Sequence, residues 1–148
     1  MKEQIKLALV GVMLMFGLQS CSEQAADTGK GIRFFEGKWA EALAKAKAEH
    51  KPLFVDAYAT WCGPCKALKR NVFTDEEVGA YYNEHFINVA IDVEKGEGVV
   101  VASQYKIGSY PTLLFVDGDG VVVKRVVGYH DPEEFLALGK QVVAPGGS

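Results

Sequence analysis

The sequence has little of several features that mark particular classes of protein. Its 148 residues carry a formal net charge of −3, so the excess of lysine and arginine that binds nucleic acid is missing. There are no internal repeats. The stretch 94–98 contains two glycines but neither a third glycine nor a following Lys-Ser/Thr, so it does not match a phosphate-binding loop. The length favours one domain with a core of its own.

Metal-ligating side chains are also sparse. His50, His85 and His130 are scattered along the chain, and only one Cys-x-x-Cys motif is present. A structural zinc site needs four ligands, so no metal site is expected within one chain, and His85 and His130 are predicted to be loop residues. A metal shared between two chains stays open as an alternative.

The apolar run at the N-terminus is too short to cross a bilayer, which takes about 20 residues. The run, residues 7–18, follows two lysines and predicts a signal peptide over residues 1–20. It ends in Leu18-Gln19-Ser20-Cys21, which resembles the lipobox of bacterial lipoproteins, where the cysteine becomes the lipid-carrying N-terminus. An ordinary secretory signal with an incidental cysteine and an uncleaved anchor are the alternatives.

A lipid on Cys21 would account for the number of cysteines. Three cysteines are odd for an exported protein, and acylation of Cys21 leaves Cys62 and Cys65 as a closed pair. A disulfide across four residues constrains the unfolded chain little, so this pair is expected to serve chemistry. Residues 21–31 are small and polar, and we expect them to form a flexible tether.

Periodicity and turn residues predict ten elements after this tether. In order they are a strand at 32–35, a helix from 39, a strand at 53–58, a helix at 63–73, a helix from Thr74, a strand at 86–93, a helix at 99–105, strands at 113–116 and 121–127, and a helix at 132–143. Thr74 and Glu77 are predicted to form the capping box of the second of the two adjacent helices. Residues 32–144 form the predicted domain, and residues 145–148 a disordered tail.

This order predicts an α/β fold. A central mixed β-sheet is expected, parallel in its middle and ending in an antiparallel hairpin, with helices on both faces.

The two nearby cysteines lie in Trp61-Cys62-Gly63-Pro64-Cys65. Such a pair can be a redox site or half of a metal site. An apolar strand precedes it and an unbroken helical pattern follows it, so Cys62 is placed at a helix N-terminus, where a thiolate is stabilised. Pro64 fits the first turn, because its missing N–H is not needed there. This setting favours a redox pair.

This pentapeptide resembles the thioredoxin family, as do Asp56, six residues before Cys62, and Tyr110-Pro111-Thr112 downstream. The resemblance covers residues 34–143 and implies the thioredoxin fold. Residues 39–53 are similar to the exported bacterial branch, in particular to the soluble C-terminal domain of the periplasmic thiol:disulfide interchange reductase.

The resemblance also implies roles for single residues. Cys62 would be the exposed, attacking thiolate and Cys65 the shielded, resolving thiol, with Asp56 as a buried proton acceptor. Trp61 would flank the active site, and Gly63-Pro64 is similar to the dipeptide of reducing thioredoxins. Many thioredoxins have a lysine near the buried acid, where this sequence offers Val89 or Ala90.

The second implied region binds substrate. In thioredoxins the proline matching Pro111 is cis and faces the cysteine pair. Tyr110, Pro111 and Thr112 would present a backbone edge to which a substrate segment adds as a strand, and Gly128 would line the same groove. From the residues alone, Pro111 could equally be a trans proline that opens a strand.

Together these features predict a thiol-disulfide oxidoreductase that reduces disulfides of exported proteins. It would face the periplasm on a lipid anchor. Ser22 resembles the residue after the cysteine in lipoproteins that leave the inner membrane, so the outer membrane is expected. The expected partners are disulfide-containing exported proteins and a membrane thiol reductant, with no cofactor and no nucleic acid. A disulfide isomerase or oxidase and a non-catalytic binding or chaperone module are the alternatives.

Overall fold

The computed structural model describes residues 29–144, so the predicted signal peptide, Cys21, most of the predicted tether and residues 145–148 lie outside the described residues. Nine helices and strands follow one another in this part of the chain. They are α1 (Trp39–Glu49), β1 (Leu53–Tyr58), α2 (Gly63–Asn71), α3 (Glu76–His85), β2 (Ile87–Asp92), α4 (Glu97–Gln104), β3 (Thr112–Val116), β4 (Val122–Val127) and α5 (Pro132–Val143).

The four strands form one mixed sheet in the order β2-β1-β3-β4. β1 pairs parallel with β2, and β3 pairs antiparallel with both β1 and β4. β1 therefore has a partner on each side, and its C-terminal end leads directly into the loop before α2. Any group at that end is held by an internal strand of the sheet.

Side-chain alternation along β1 builds a core on each face of the sheet. Leu53, Val55 and Ala57 belong to the cluster that includes residues of α1 and α4. Phe54 points the other way, into an aromatic cluster with residues of α2, α3 and α5, where its ring lies 5.2 Å from those of Tyr82 and Phe135. Helices thus cover both faces, as predicted, and the fold is the thioredoxin fold.

The predicted strand at 32–35 is wrong, because only Phe34 forms a bridge, parallel to Asn88 of β2. The backbone donors before it bond elsewhere. The N–H of Ile32 donates to the carbonyl of Phe73, and the N–H of Arg33 donates to the side-chain oxygen of Asn83. A continuous ladder along β2 is therefore not formed.

The predicted parallel centre of the sheet is also wrong, since the middle pair, β1 and β3, is antiparallel. The parallel pairing lies to one side, between β1 and β2. β2 runs parallel to β1 and β3 runs antiparallel to it, so the connection through α4 leaves β2 and enters β3 at the same end of the strands.

Two local predictions around α3 need correction. Asp75, not Thr74, caps the helix: its carboxylate accepts a hydrogen bond from the N–H of Val78, while the hydroxyl of Thr74 donates to the carbonyl of Arg70. His85 is the last residue of α3 rather than a loop residue. Aspartate and threonine are both favoured N-cap residues, so the sequence was compatible with a helix capped by Thr74 or by Asp75.

The start of α5 lies where the sequence places it. Asp131 accepts from the N–H of Glu134, and the Glu134 carboxylate accepts from the N–H of Asp131, which forms a capping box. Pro132 occupies the first turn, where no N–H is needed.

Gly31, at the end of the predicted tether, is buried, and its carbonyl accepts a hydrogen bond from Asn83. Within residues 29–144, no helix is long and apolar enough to cross a membrane.

Candidate active site

The Cys-x-x-Cys pair lies at the junction of β1 and α2. Cys62 is the N-cap of α2 with an extended backbone, and its sulfur accepts a hydrogen bond from the N–H of Cys65 at 3.2 Å. The two cysteines are joined in a disulfide, with their Cα atoms 5.3 Å apart. Both sulfurs thus sit at the positive end of the helix dipole, which stabilises a thiolate formed there on reduction.

Both cysteines are buried in this disulfide-bonded form. Cys62 is 3% exposed and Cys65 is 5% exposed, so the prediction of an exposed Cys62 is wrong for this state. They form a small cluster with Ala59, against which the half-buried rings of Tyr58 and Tyr110 pack. The motif alone could not reveal this cover, because Tyr110 comes from a loop far along the chain.

Trp61 stands next to the disulfide with 65% of its surface exposed. Its indole N–H lies 3.1 Å from each carboxylate oxygen of Glu94 and donates to that group. Its ring meets the ring of Tyr110 edge-on, with centroids 6.0 Å apart. Glu94, in the loop after β2, was not predicted as part of the site, and no sequence signal linked it to Trp61.

Asp56 lies in the middle of β1 and is 5% exposed. Its Oδ1 has no hydrogen-bond partner. Its neighbours across the sheet are Ala90 in β2 and Leu113 in β3, neither of which offers a donor or a charge from its side chain. Burial therefore raises the pKa of Asp56 from 3.8 to about 7, and the positive charge of Lys69 opposes part of this rise.

A cavity of about 480 Å³ connects these groups. Asp56 and Cys65 both line it, and its remaining walls include the rings of Phe34 and Phe73. Lys69 of α2 also lines the cavity, a residue that sequence reasoning missed. The cavity places a buried carboxyl and the second sulfur of the pair on one shared, partly open space.

The second predicted region lies at the start of β3. The Tyr110–Pro111 peptide bond is cis. Thr112 is buried and its hydroxyl donates to the carbonyl of Ser109 at 2.7 Å. Gly128 has φ +95°, which favours glycine, and its N–H donates to the carbonyl of Pro111 at 2.9 Å. The structure thus brings residues 110–112 together with Gly128, and Tyr110 joins them to the disulfide.

The histidines contribute nothing to this site. The His85 ring packs against Tyr81, with centroids 4.3 Å apart, and Nδ1 of His130 lies 3.6 Å from Glu134. Among residues 29–144, no three histidine, cysteine, aspartate or glutamate side chains are grouped as a metal site would require.

The comparison with known families agrees with this geometry. A family model described as a thioredoxin-like domain matches residues 39–143, which includes β1, both cysteines and the cis-proline loop. The chain belongs to the thioredoxin-like family. This family, together with the Cys62–Cys65 disulfide, makes the protein a member of the thioredoxin-like thiol-disulfide oxidoreductases.

Individual relatives place the chain within this family. It is 34% identical over 126 residues to thioredoxin-2 of Pyricularia oryzae, covering 80% of this chain and 69% of that protein. It is 29% identical over 135 residues to the thiol:disulfide interchange protein DsbD of Escherichia coli K12, covering 88% of this chain. The chain spans only 24% of the length of that DsbD, so the match concerns one part of a longer protein.

Solved structures show the same relationship. A candidate disulphide isomerase from Bacteroides thetaiotaomicron is 47% identical with a TM-score of 0.67, and the match covers 80% of this chain and 98% of the other. A thioredoxin from Thermus thermophilus is 28% identical with a TM-score of 0.68, covering 79% and 91%. The C-terminal domain of Neisseria meningitidis DsbD, at 24% identity and a TM-score of 0.60, shares the fold.

Proposed function

We propose that the protein reduces disulfides of exported proteins through a dithiol-disulfide cycle of Cys62 and Cys65. The observation that carries this proposal is the position of the pair: a disulfide at the N-terminus of α2, with a buried, unpaired carboxyl on the same cavity as its second sulfur. Trp61, Gly63 and Pro64 form the active-site loop. No cofactor is needed, because the two sulfurs carry both electrons.

The cycle balances as a thiol-disulfide exchange. The reduced Cys62 attacks one sulfur of a substrate disulfide as a thiolate, and the other substrate sulfur leaves and takes up a proton. Cys65 then gives its proton to the carboxylate of Asp56 and attacks Cys62, which releases the second substrate thiol. The substrate gains two electrons and two protons, and the Cys62–Cys65 disulfide remains.

The cover over Cys62 sets a condition for this reaction. Cys62 is 3% exposed, and the ring of Tyr110 packs against the cluster that contains both cysteines and against the ring of Trp61. Attack on a protein disulfide requires that these rings give way to the substrate. In the proposed complex the substrate segment lies along Tyr110, Pro111 and Thr112 as an added strand, bordered by Gly128.

The proposed location follows from the sequence and the likeness to DsbD. Residues 1–20 act as a lipoprotein signal peptide, Cys21 carries the lipid, residues 21–31 form the tether, residues 32–144 form the domain and residues 145–148 the disordered tail. The domain then faces the periplasm from a bacterial membrane, proposed as the outer one. A disulfide reductase in that oxidising compartment needs a membrane thiol reductant to regenerate its dithiol.

A trapping experiment tests the cycle. Cys65→Ser removes the resolving sulfur, so exported substrate proteins are expected to stay attached to Cys62 as mixed disulfides that a reducing agent releases. Cys62→Ser is the matched control and should trap nothing at that position. If Cys65→Ser captures no protein while Cys62→Ser still reduces insulin disulfides, the proposed cycle is wrong.

Disulfide isomerisation is the second candidate function. It is favoured by the 47% identity to the Bacteroides thetaiotaomicron candidate disulphide isomerase. The two activities separate in a refolding assay with scrambled ribonuclease. An isomerase restores native ribonuclease without net oxidation or reduction, whereas a reductase only consumes reducing equivalents. A redox potential measured for the Cys62–Cys65 pair, close to that of reducing thioredoxins, would favour the reductase.

A further inference from the structure

The sheet leaves the carboxyl of Asp56 without electrostatic support. Its side chain is 5% exposed, its Oδ1 has no hydrogen-bond partner, and Ala90 and Leu113 stand opposite it in the two neighbouring strands. A buried carboxylate in such surroundings is costly, because neither neighbouring strand offers a side chain there that replaces the water that would solvate its charge. A proton acceptor at this position therefore needs a charge from another element of the fold.

Helix α2 supplies such a charge, on Lys69. Lys69 lies four residues after Cys65 on α2, so the two side chains are on the same side of that helix. Asp56, Cys65 and Lys69 all line the same cavity. Lys69 is exposed, so its ammonium group can remain hydrated at the rim while its field acts across the cavity.

We propose that Lys69 is a positioning residue for proton transfer between Cys65 and Asp56: its ammonium group, at the cavity rim, favours the charged form of the buried carboxyl, which is the form that accepts the proton. This inference rests on the proposed dithiol-disulfide cycle. It assigns to an exposed residue of α2 a role that neither β2 nor β3 can fill at the positions opposite Asp56.

The other titratable groups around Asp56 do not take this role. Tyr58, two residues along β1, shares the cavity, and its pKa is raised first by burial and then by the negative charges of Asp92 and Asp56. Lys66, the residue after Cys65 in α2, also lines the cavity. Among these cations, Lys69 is the one whose charge lowers the pKa of Asp56, against the larger opposite effect of burial.

Lys69 acts in one step of the proposed cycle, the attack of Cys65 that resolves the mixed disulfide. When Cys65 attacks Cys62 in the mixed disulfide, the Cys65 proton moves to the Asp56 carboxylate, and Asp56 then passes it to solvent at the cavity mouth. Without Lys69, a smaller fraction of Asp56 is charged at neutral pH. The resolving step should then need a higher pH, while the first attack by Cys62 should not change.

The test compares Lys69→Ala with two controls. Arg70→Ala removes the same charge from the next residue of α2, which does not line the cavity, and Lys69→Arg keeps the charge. The carboxyl of Asp56 is titrated by carbon-13 NMR in the disulfide form, and the resolution of the Cys62–glutathione mixed disulfide is timed from pH 5 to 9. A fourth variant, Lys69→Ala with Ala90→Lys, places a lysine opposite Asp56 from β2.

In Lys69→Ala the Asp56 titration and the resolution profile should both move up by about half a pH unit to one unit. Resolution near pH 6 should then be about three- to tenfold slower. Lys69→Arg, Arg70→Ala and the variant with Ala90→Lys should stay close to the wild type. Rescue from β2 would show that the charge, and not the packing of Lys69, is what matters.

An unshifted Asp56 titration in Lys69→Ala overturns the inference, as does a shifted titration with an unchanged resolution profile. The titration needs no turnover, so it judges Lys69 even if the protein fails to reduce any protein disulfide. Conversely, trapping of substrates by Cys65→Ser alongside an unshifted Asp56 titration would leave the proposed function standing and reject the role of Lys69.

Discussion

Replacing Asp56 with asparagine should stabilise the protein, and by an amount that depends on pH. The carboxyl is buried and unpaired, and its pKa is raised from 3.8 to about 7. Between these two values the native protein binds a proton that the unfolded chain has released. Stability therefore falls as the pH rises through this window, and the full penalty is present above about pH 7.

The magnitude follows from the two pKa values. Each pH unit between them corresponds to about 1.4 kcal/mol, so burying the Asp56 carboxylate costs about 4 kcal/mol above neutral pH. This is a large part of the stability of an ordinary domain, which is about 5–15 kcal/mol. The stability difference between Asp56→Asn and the wild type should thus grow by about 4 kcal/mol from pH 4 to pH 8.

Urea unfolding of the disulfide-bonded protein at a series of pH values measures this difference, and the disulfide keeps Cys65 from titrating. Asp56→Ala serves as the matched variant. It differs from Asp56→Asn in packing, so the two can differ in absolute stability. Neither can ionise, so both should show the same pH dependence relative to the wild type. A flat difference between pH 4 and pH 8 would refute the reasoning that burial raises this pKa.

Three further predictions concern contacts that the structure shows. Glu94→Ala removes the acceptor of the Trp61 indole N–H, so reduced Cys62 should react several-fold faster with iodoacetamide as its cover loosens. Gly98→Ala should destabilise the fold by about 1–3 kcal/mol in urea unfolding, because a Cβ there would overlap the backbone carbonyl of Asp92. Tyr82→Phe should cost about 1–3 kcal/mol in the same assay, since its buried hydroxyl donates to a carbonyl of α5 at 2.7 Å.

Each of these has a matched control. Trp61→Phe keeps a ring but loses the N–H, and it should reproduce the effect of Glu94→Ala on alkylation. Gly108→Ala adds a Cβ where no atom lies within 4 Å, so it should change stability little. Tyr81→Phe removes the hydroxyl of the half-buried neighbour of Tyr82 and should cost less than Tyr82→Phe. Equal effects of Gly98→Ala and Gly108→Ala, or of Tyr82→Phe and Tyr81→Phe, would contradict the corresponding contact. For the Trp61–Glu94 hydrogen bond, unequal effects of Glu94→Ala and Trp61→Phe on alkylation would contradict it.

The sequence predicted most of the fold because its signals are local. The apolar run of β1 and the cap, proline and acidic residues at the start of α5 each depend on neighbours within a few residues. The two errors in the sheet depend on distant groups. The segment 32–35 does not form a strand because the backbone N–H of Arg33 finds the side chain of Asn83, and the direction of β3 depends on how the chain returns after α4.

In the active site, too, the features that depend on neighbouring residues were predicted and those that depend on distant residues were not. The motif predicted where Cys62 and Cys65 lie, and the family resemblance implied that Asp56 is buried. The roles of these residues, and of Tyr110 and Gly128 in substrate binding, stay predictions. Glu94 and Lys69 were missed because a single charged residue in a loop or on a helix surface looks like any solvated residue until its spatial neighbours are known.

The sequence by itself determined the strand, the helix and the pair of cysteines between them, because each of these follows from neighbouring residues. Only the tertiary structure decided the surroundings of the pair: Tyr110 over Cys62, Glu94 on Trp61, and Lys69 on the cavity of Asp56. Electrostatic fields and packing act through space, and the residues that supply them here come from separate elements. The motif therefore determines that the two sulfurs form a redox pair, and the fold determines which groups surround them.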